Sequence, residues 1–138
     1  MIIDGNNLIL GRVAAIAAKK ALLGETVDIV NCERILITGN KKDIIAKYKR
    51  KRTMGVPSKG PFQPRKPDMF VRKIIRGMLP YKQARGREAF EKIKCHFGVP
   101  ESLKEEAVTI KTVDINKVPN LNYITVGKVC EALGWQKR

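Results

Sequence analysis

Two hydrophobic periods alternate along this chain. Met1-Ile2-Ile3-Asp4 is a short apolar run stopped by Gly5-Asn6-Asn7, the mark of an opening strand. From Leu10 to Leu23 the apolar residues recur at helical spacing. Leu10, Val13, Ala14, Ala17, Ala18 and Ala21 share one face. The alanines let that helix lie close on a sheet, and Gly24 is placed to stop it. Val27 to Val30 reads as a second strand, ended by Asn31-Cys32-Glu33. Arg34 to Thr38 reads as a third, ended by Gly39. Strand, crossover helix and strand predict a right-handed parallel unit.

Asn40 can cap the next helix, with Asp43 three residues on in a loose capping box. Its apolar edge is Ile44, Ile45 and Tyr48. From about 53 to 67 the pattern fails, because Gly55, Pro57, Gly60, Pro61, Pro64 and Pro67 break any regular element. Pro67-Asp68 opens a further helix with the stripe Phe70, Val71, Ile74, Ile75 and Met78, and Pro80 ends it. Ala84 to Ile93 predicts another helix, with Ala89, Phe90 and Ile93 inward. Lys94 to Phe97 predicts a last strand. Glu101 to Asn120 reads as loop with short extended pieces. Thr125 then caps a final helix bearing Val126, Val129, Cys130 and Leu133, which Gly134 stops. The pattern predicts one α/β domain over residues 1–138. Its small, mostly parallel sheet has about four strands, built by residues 1–38 and 94–97, and residues 99–138 form a C-terminal extension.

Charge changes this picture. The chain carries 28 Lys and Arg against 13 Asp and Glu, a net +15. Residues 1–40 balance four basic residues with four acidic ones. Residues 41–94 set eighteen against four, and residues 95–138 six against five, so 18 − 4 = 14 of the +15 lies in the middle. A neutral scaffold with one electrostatic footprint points to a polyanion, nucleic acid before an anionic membrane. A solvated helix mixes signs, as the spacing of Arg87–Glu91 and Glu88–Lys92 allows. Lys41 to Arg52 has only Asp43 as counter-charge. The candidate phosphate-binding residues are Lys41, Lys42, Lys47, Lys49, Arg50, Lys51 and Arg52, then Lys59, Arg65 and Lys66 in the loop, then Arg72, Lys73, Arg76, Lys82, Arg85 and Arg87. A long loop rich in Gly, Pro, Lys and Arg suits the irregular surface of folded RNA. A membrane would want a basic helix with its bulky apolar face free, whereas these stripes have a sheet to cover.

Other chemistry finds less support. No apolar run approaches the ~18 residues of a membrane span. The first residues lack a charged n-region and a cleavage site, so no secretory leader is expected. Cys32, Cys95 and Cys130 are odd in number and widely spaced, and read as reduced, mostly buried thiols of a cytoplasmic protein. His96 beside Cys95 points to the opposite face of a strand, so the two neither chelate one metal nor form a dyad. Asp4, Asp28 and Glu33 lie near strand ends, where an α/β enzyme places its site, but capping or pairing with lysine explains them equally. The competing reading is a small nucleotide-binding α/β enzyme, with Glu33 reaching a ribose. Against it, G-x-G-x-x-G and the Walker pattern are absent. Bulky residues fill the interval from Gly5 to Gly11. Gly39-Asn40-Lys41 before a helix suits one phosphate, of RNA as readily as of a nucleotide. No cofactor or metal is expected.

Ile75-Arg76-Gly77-Met78-Leu79-Pro80 followed by Arg85-Gly86-Arg87 resembles the signature of the universal large-subunit ribosomal protein thirteen family. Leu10-Gly11-Arg12, Val30-Asn31-Cys32-Glu33 and Ile37-Thr38-Gly39-Asn40-Lys41 are similar to it too. Arg85-Gly86-Arg87-Glu88-Ala89 looks like the archaeal and eukaryal members. Cys32 departs from the alanine that members often carry. The resemblance implies a three-layer α/β/α fold, binding to large-subunit rRNA early in assembly, neighbouring ribosomal proteins as further partners, and no catalysis. Gly77 to Pro80 then reads as the end of a core helix, with Met78 and Leu79 pinning an elbow that aims Arg76, Lys82, Arg85 and Arg87 at phosphates.

Overall fold

The computed structural model describes residues 1–103, 107–108, 115 and 122–136. Strand β1 (Ile2–Asp4), helix α1 (Leu10–Leu22) and strand β2 (Val27–Val30) form the opening unit. The two strands are parallel, with Ile2 opposite Asp28 and Ile3 opposite Ile29. The buried face of α1 is the predicted one, residue for residue: Leu10, Val13, Ala14, Ala17, Ala18 and Ala21. Gly24 turns the chain at φ +99, where a side chain would be strained. Its N–H donates to the Ala21 carbonyl at 3.0 Å, and the Glu25 N–H to that of Lys20 at 3.2 Å, satisfying the last turn.

The main sheet has the order β4-β2-β1-β5, with every pairing parallel. Two of its strands differ from expectation. Strand β4 is Ile93–Cys95, not Lys94 to Phe97. Ile93 satisfies the helical spacing of Ala89 and Phe90, yet it pairs with Val27 and is fully buried in the sheet. Strand β5 (Ala107–Val108), from the C-terminal extension, takes the edge beside β1. The predicted third strand leaves this sheet. Asn31, at φ +55, turns the chain into a 3-10 turn over Cys32–Arg34, so only β3 (Leu36–Thr38) is extended. It pairs antiparallel with β6 (Tyr123–Thr125) in a second, two-stranded sheet. The extension thus supplies a strand to each sheet, and β4 is not the last strand. Residues 104–106, 109–114 and 116–120, over which loop with short extended pieces was expected, lie outside the described residues.

Four more helices complete the α/β arrangement: α2 (Lys41–Thr53), α3 (Pro67–Met78), α4 (Ala84–Glu91) and α5 (Val126–Ala132). Helix α1 packs against α3 and α4, while α5 lies on the 3-10 turn and β6 and touches α2 and α3. Ile3, Leu8, Ile29, Ile35, Phe70 and Ile75 are among the fully buried side chains between these elements. The Thr125 hydroxyl accepts from the Lys128 N–H at 3.3 Å and caps α5 as expected. Met78 is a correction. It continues the stripe of α3 but falls at the helix end, past the core, and is 44% exposed, whereas Leu79 is buried at 7%. Met78 rims a surface groove with Leu22 and Leu23, so Leu79 alone pins the elbow.

Candidate nucleic-acid interface

Helix α2 is good helix-forming sequence with almost no core of its own, and none of its residues is fully buried. The Asn40 side chain caps it, accepting from the Lys42 N–H at 3.3 Å; Asp43 makes no reciprocal bond. Ile44, Ile45 and Tyr48 hold it to the core. Tyr48 meets Phe70 of α3 edge-on, with ring centroids 4.9 Å apart. Burial pushes the Tyr48 phenol pKa up, and Cys130 adds to the shift. The outer surface carries Lys41, Lys42, Lys47, Lys49 and Arg50, all exposed. The Lys51 ammonium stands 5.4 Å from the centre of the Tyr48 ring.

Helix α3 lies alongside. Its inward stripe, Phe70, Val71 and Ile75, is buried. Its outward cations are held by the protein itself. Lys73 Nζ donates to the carbonyl oxygen of Phe62 and, at 3.0 Å, to Gln63 Oε1, tying the basic loop to the helix. Desolvation and then the charges of Lys51 and Arg76 push the Lys73 pKa down. That repulsion joins three cations of two helices in one field. The Arg76 guanidinium lies 4.0 Å over the Tyr81 ring. Tyr81 packs edge-on to Phe90 at 5.5 Å, and Arg72 lies 4.5 Å over the other partner, Phe90. Stacking leaves guanidinium edges able to grip phosphate while removing their freedom to swing.

The elbow after α3 is stapled from α4. Arg87 Nε donates to the Tyr81 carbonyl at 3.4 Å and its terminal nitrogen to that of Lys82 at 3.2 Å. The spaced pairs Arg87–Glu91 and Glu88–Lys92 do not form: Arg87 is taken up by the elbow carbonyls, and Lys92 donates to the Gly24 carbonyl at 3.3 Å. Gly86 is buried against the elbow backbone. Lys82 and Arg85 remain exposed on its outer side.

The sixteen predicted residues therefore separate into groups. Lys51, Lys73 and Arg76 act on one another across α2 and α3, and Arg87 braces the elbow that carries exposed Lys82 and Arg85; these six are termed the ridge. Lys47 and Arg50 line a surface groove of α2 together with Lys51 and extend the ridge along that helix, whereas Lys49 is exposed on another side of it. Lys59, Arg65 and Lys66 are exposed on the loop beside it. Lys41 and Lys42 stand at the opposite end of that thirteen-residue helix, ~15 Å along its axis from Lys51. Arg72 is half-buried under Phe90. Arg52 points inward, donating to the Leu133 carbonyl at the end of α5, and an Arg65 nitrogen approaches Gly134 there. Sequence spacing alone could not separate Arg52 from its outward neighbours. The aromatic partners Tyr48, Tyr81 and Phe90 were also missed. Only the five-residue step from Arg76 to Tyr81 across a proline hints at them.

The family model for ribosomal protein L13 matches residues 1–102. The chain belongs to the ribosomal protein L13 family. It is 41% identical to large ribosomal subunit protein uL13 of Methanopyrus kandleri over 98% of this chain and 87% of that protein. It is 45% identical to uL13 of Methanococcus maripaludis, with 97% of each covered. To uL13 of Methanosarcina barkeri it is 42% identical, with 96% of each covered. All three are archaeal, in keeping with the resemblance of the Arg85 to Ala89 segment. A member of the L13 family is a structural constituent of the large ribosomal subunit, not an enzyme.

The geometry of this L13-family chain explains what an enzyme reading would have used. Asp4 Oδ1 accepts from the Asn6 N–H at 3.1 Å and from Asn31 Nδ2 at 2.8 Å. Asp28 Oδ1 lies 2.9 Å from His96 Nε2, and Glu33 Oε2 accepts from the Gly98 N–H at 3.2 Å. These carboxylates brace the strand ends, with asparagine, histidine and backbone rather than lysine as partners. A Cβ on Gly5 would stand 2.6 Å from Ile35 Cγ1, so that glycine serves packing and not phosphate approach. Leu8, Ile9 and Leu10 are buried where a nucleotide phosphate would have to enter. Among the described residues, no helix is long and apolar enough to cross a membrane.

Proposed function

We propose that the chain, acting as one domain, binds large-subunit rRNA through the ridge of α2, the 53–67 loop, α3 and the elbow, early in assembly of the cytoplasmic subunit. The observation that carries this is the convergence of Lys51, Lys73 and Arg76, where desolvation first and then the charges of the other two cations push the Lys73 pKa down. A polyanion relieves that repulsion, and each phosphate engaged releases counterions. Arg76 and Arg87 are braced, so little freedom is lost when they meet phosphate. Early entry follows from the same feature, since a preset cationic surface can bind RNA before neighbouring proteins arrive. Those neighbours are expected on the charge-balanced faces of residues 1–40.

Binding of the full chain to deproteinised large-subunit rRNA over a salt series tests this. Some six phosphate contacts predict a loss of the order of a thousand-fold in affinity from about 50 to 200 mM salt. Salt-independent or absent binding would contradict the reading.

A further inference from the structure

We propose that Phe62 is a stacking platform for one unpaired nucleobase of large-subunit rRNA, with the surrounding cations holding that nucleotide's phosphates. This deepens, and rests on, the rRNA-binding reading above. Phe62 lies in the loop between α2 and α3 and is 66% exposed. A single exposed phenylalanine is ordinary, but this one is held in place. Its ring atoms Cδ2 and Cε2 lie 3.1 Å from where a Cβ on Gly60 would stand, so the ring rests against a position only glycine leaves clear. Its carbonyl accepts from Lys73 Nζ, and the same ammonium holds Gln63 at 3.0 Å. The backbone that carries the ring is therefore tied to α3, and the ring itself rests against Gly60. A ring already ordered loses little freedom when a base stacks on it.

Its surroundings name the occupant. The ring borders an open basin of about 470 Å³ whose wall includes Met54, Val56, Pro57 and Pro61. Met54 and Val56 are 49% and 54% exposed. From Ile44 to Pro67 there is no acidic residue, while Lys47, Lys49, Arg50, Lys51, Lys59, Arg65 and Lys66 fall within that span besides the inward-turned Arg52. Apolar side chains beside an aromatic ring, in a segment rich in cations and free of carboxylates, match a nucleotide, which offers a flat π-face on one side and a phosphate on the other. An apolar protein side chain would cover the hydrocarbon and leave the cations of the segment unneutralised. Because every base has a π-face, the platform selects an extruded nucleotide of folded RNA rather than a particular sequence.

Filter binding to deproteinised large-subunit rRNA over a salt series, with wild type, Phe62→Leu and Phe62→Trp, tests the proposal. Phe62→Leu is expected to bind about ten-fold more weakly, with an unchanged slope against salt and an unchanged melting temperature. Phe62→Trp is expected to match wild type. Wild-type affinity in Phe62→Leu overturns the platform and leaves the rRNA reading standing. Failure of the tryptophan variant to keep affinity also overturns it, because packing rather than stacking would then be at work. Unaltered rRNA affinity with depletion of Phe62→Leu from assembled subunits assigns the surface to a protein and overturns the nucleobase. Absence of wild-type binding removes the underlying reading as well.

Discussion

The carbonyl oxygen of Pro80 lies 2.1 Å from the point where a Cβ on Gly86 would stand, and the Pro80 carbonyl carbon lies at 2.5 Å. Helix α4 therefore touches the elbow backbone directly, with no room for a methyl group. The obstructing atoms are main chain and cannot rotate aside. Gly86→Ala is expected to destabilise the protein by about 2 kcal/mol or more. Gly77→Ala, with nothing within 4 Å of its added carbon, is expected to stabilise α3 by up to about 1 kcal/mol. Thermal melting of the two variants checks both. Equal melting temperatures would show that α4 does not press on the elbow.

Leu79 and Met78 are adjacent in sequence and opposite in environment. Leu79→Asp buries an unpaired carboxylate and is expected to cost about 3 kcal/mol or more. Met78→Asp places the same charge on the surface at a helix C-terminus, an unfavourable effect of about 0.5 kcal/mol. Denaturant titration separates these. A large loss in the Met78 variant would mean that its side chain is covered in solution.

Arg50 and Arg52 are two residues apart and are assigned different work. Arg52 donates to the Leu133 carbonyl, so Arg52→Met is expected to lower stability by about 1–2 kcal/mol and leave the salt dependence of RNA binding unchanged. Arg50 is exposed. Arg50→Met is expected to leave melting unchanged and reduce the salt slope by roughly one counterion. The reverse pattern would place Arg52 on the RNA.

Two thiols are expected to be silent in the native state. Burial pushes the Cys130 thiol from an ordinary 9.0 up to about 12, with the charges of Asp68 and Glu131 adding. A hydrogen bond from the Cys32 thiol to Cys95, and then burial, push Cys32 up as well. The unfolded chain gives up the Cys130 proton near pH 9.0 while the native chain keeps it, so this contribution to stability is whole below that pH and is lost as pH rises toward about 12. Titration with an aromatic disulfide at about pH 8 should modify the half-buried Cys95 first, and Cys32 and Cys130 only on unfolding. Rapid native reaction at Cys130 would contradict its burial.

Much of the scaffold is legible in the residues. The face of α1 could be read because alanines and branched residues recur at one period with a glycine stop. The cap at Asn40, the proline start of α3 and the capped α5 carry equally local signals. What could not be read depends on distant partners. Strands β5 and β6 are two and three residues long, too short to show a period, and exist through pairing with β1 and β3. Ile93 fits a helical face and a strand alike until Val27 decides between them. The basic region was visible as charge. Which cations turn inward, as Arg52 does, or lie on rings, as Arg72 and Arg76 do, is set by tertiary neighbours that charge does not reveal.

The central claim is that one ridge, and not the whole basic chain, meets rRNA phosphates. Lysine acetylation read by mass spectrometry, with and without bound large-subunit rRNA, tests it directly. The account predicts protection of Lys47, Lys51, Lys59, Lys66 and Lys82 by the RNA, with Lys19 and Lys20 on α1 modified as in the free protein. Protection of the α1 lysines, or equal protection throughout, would contradict it.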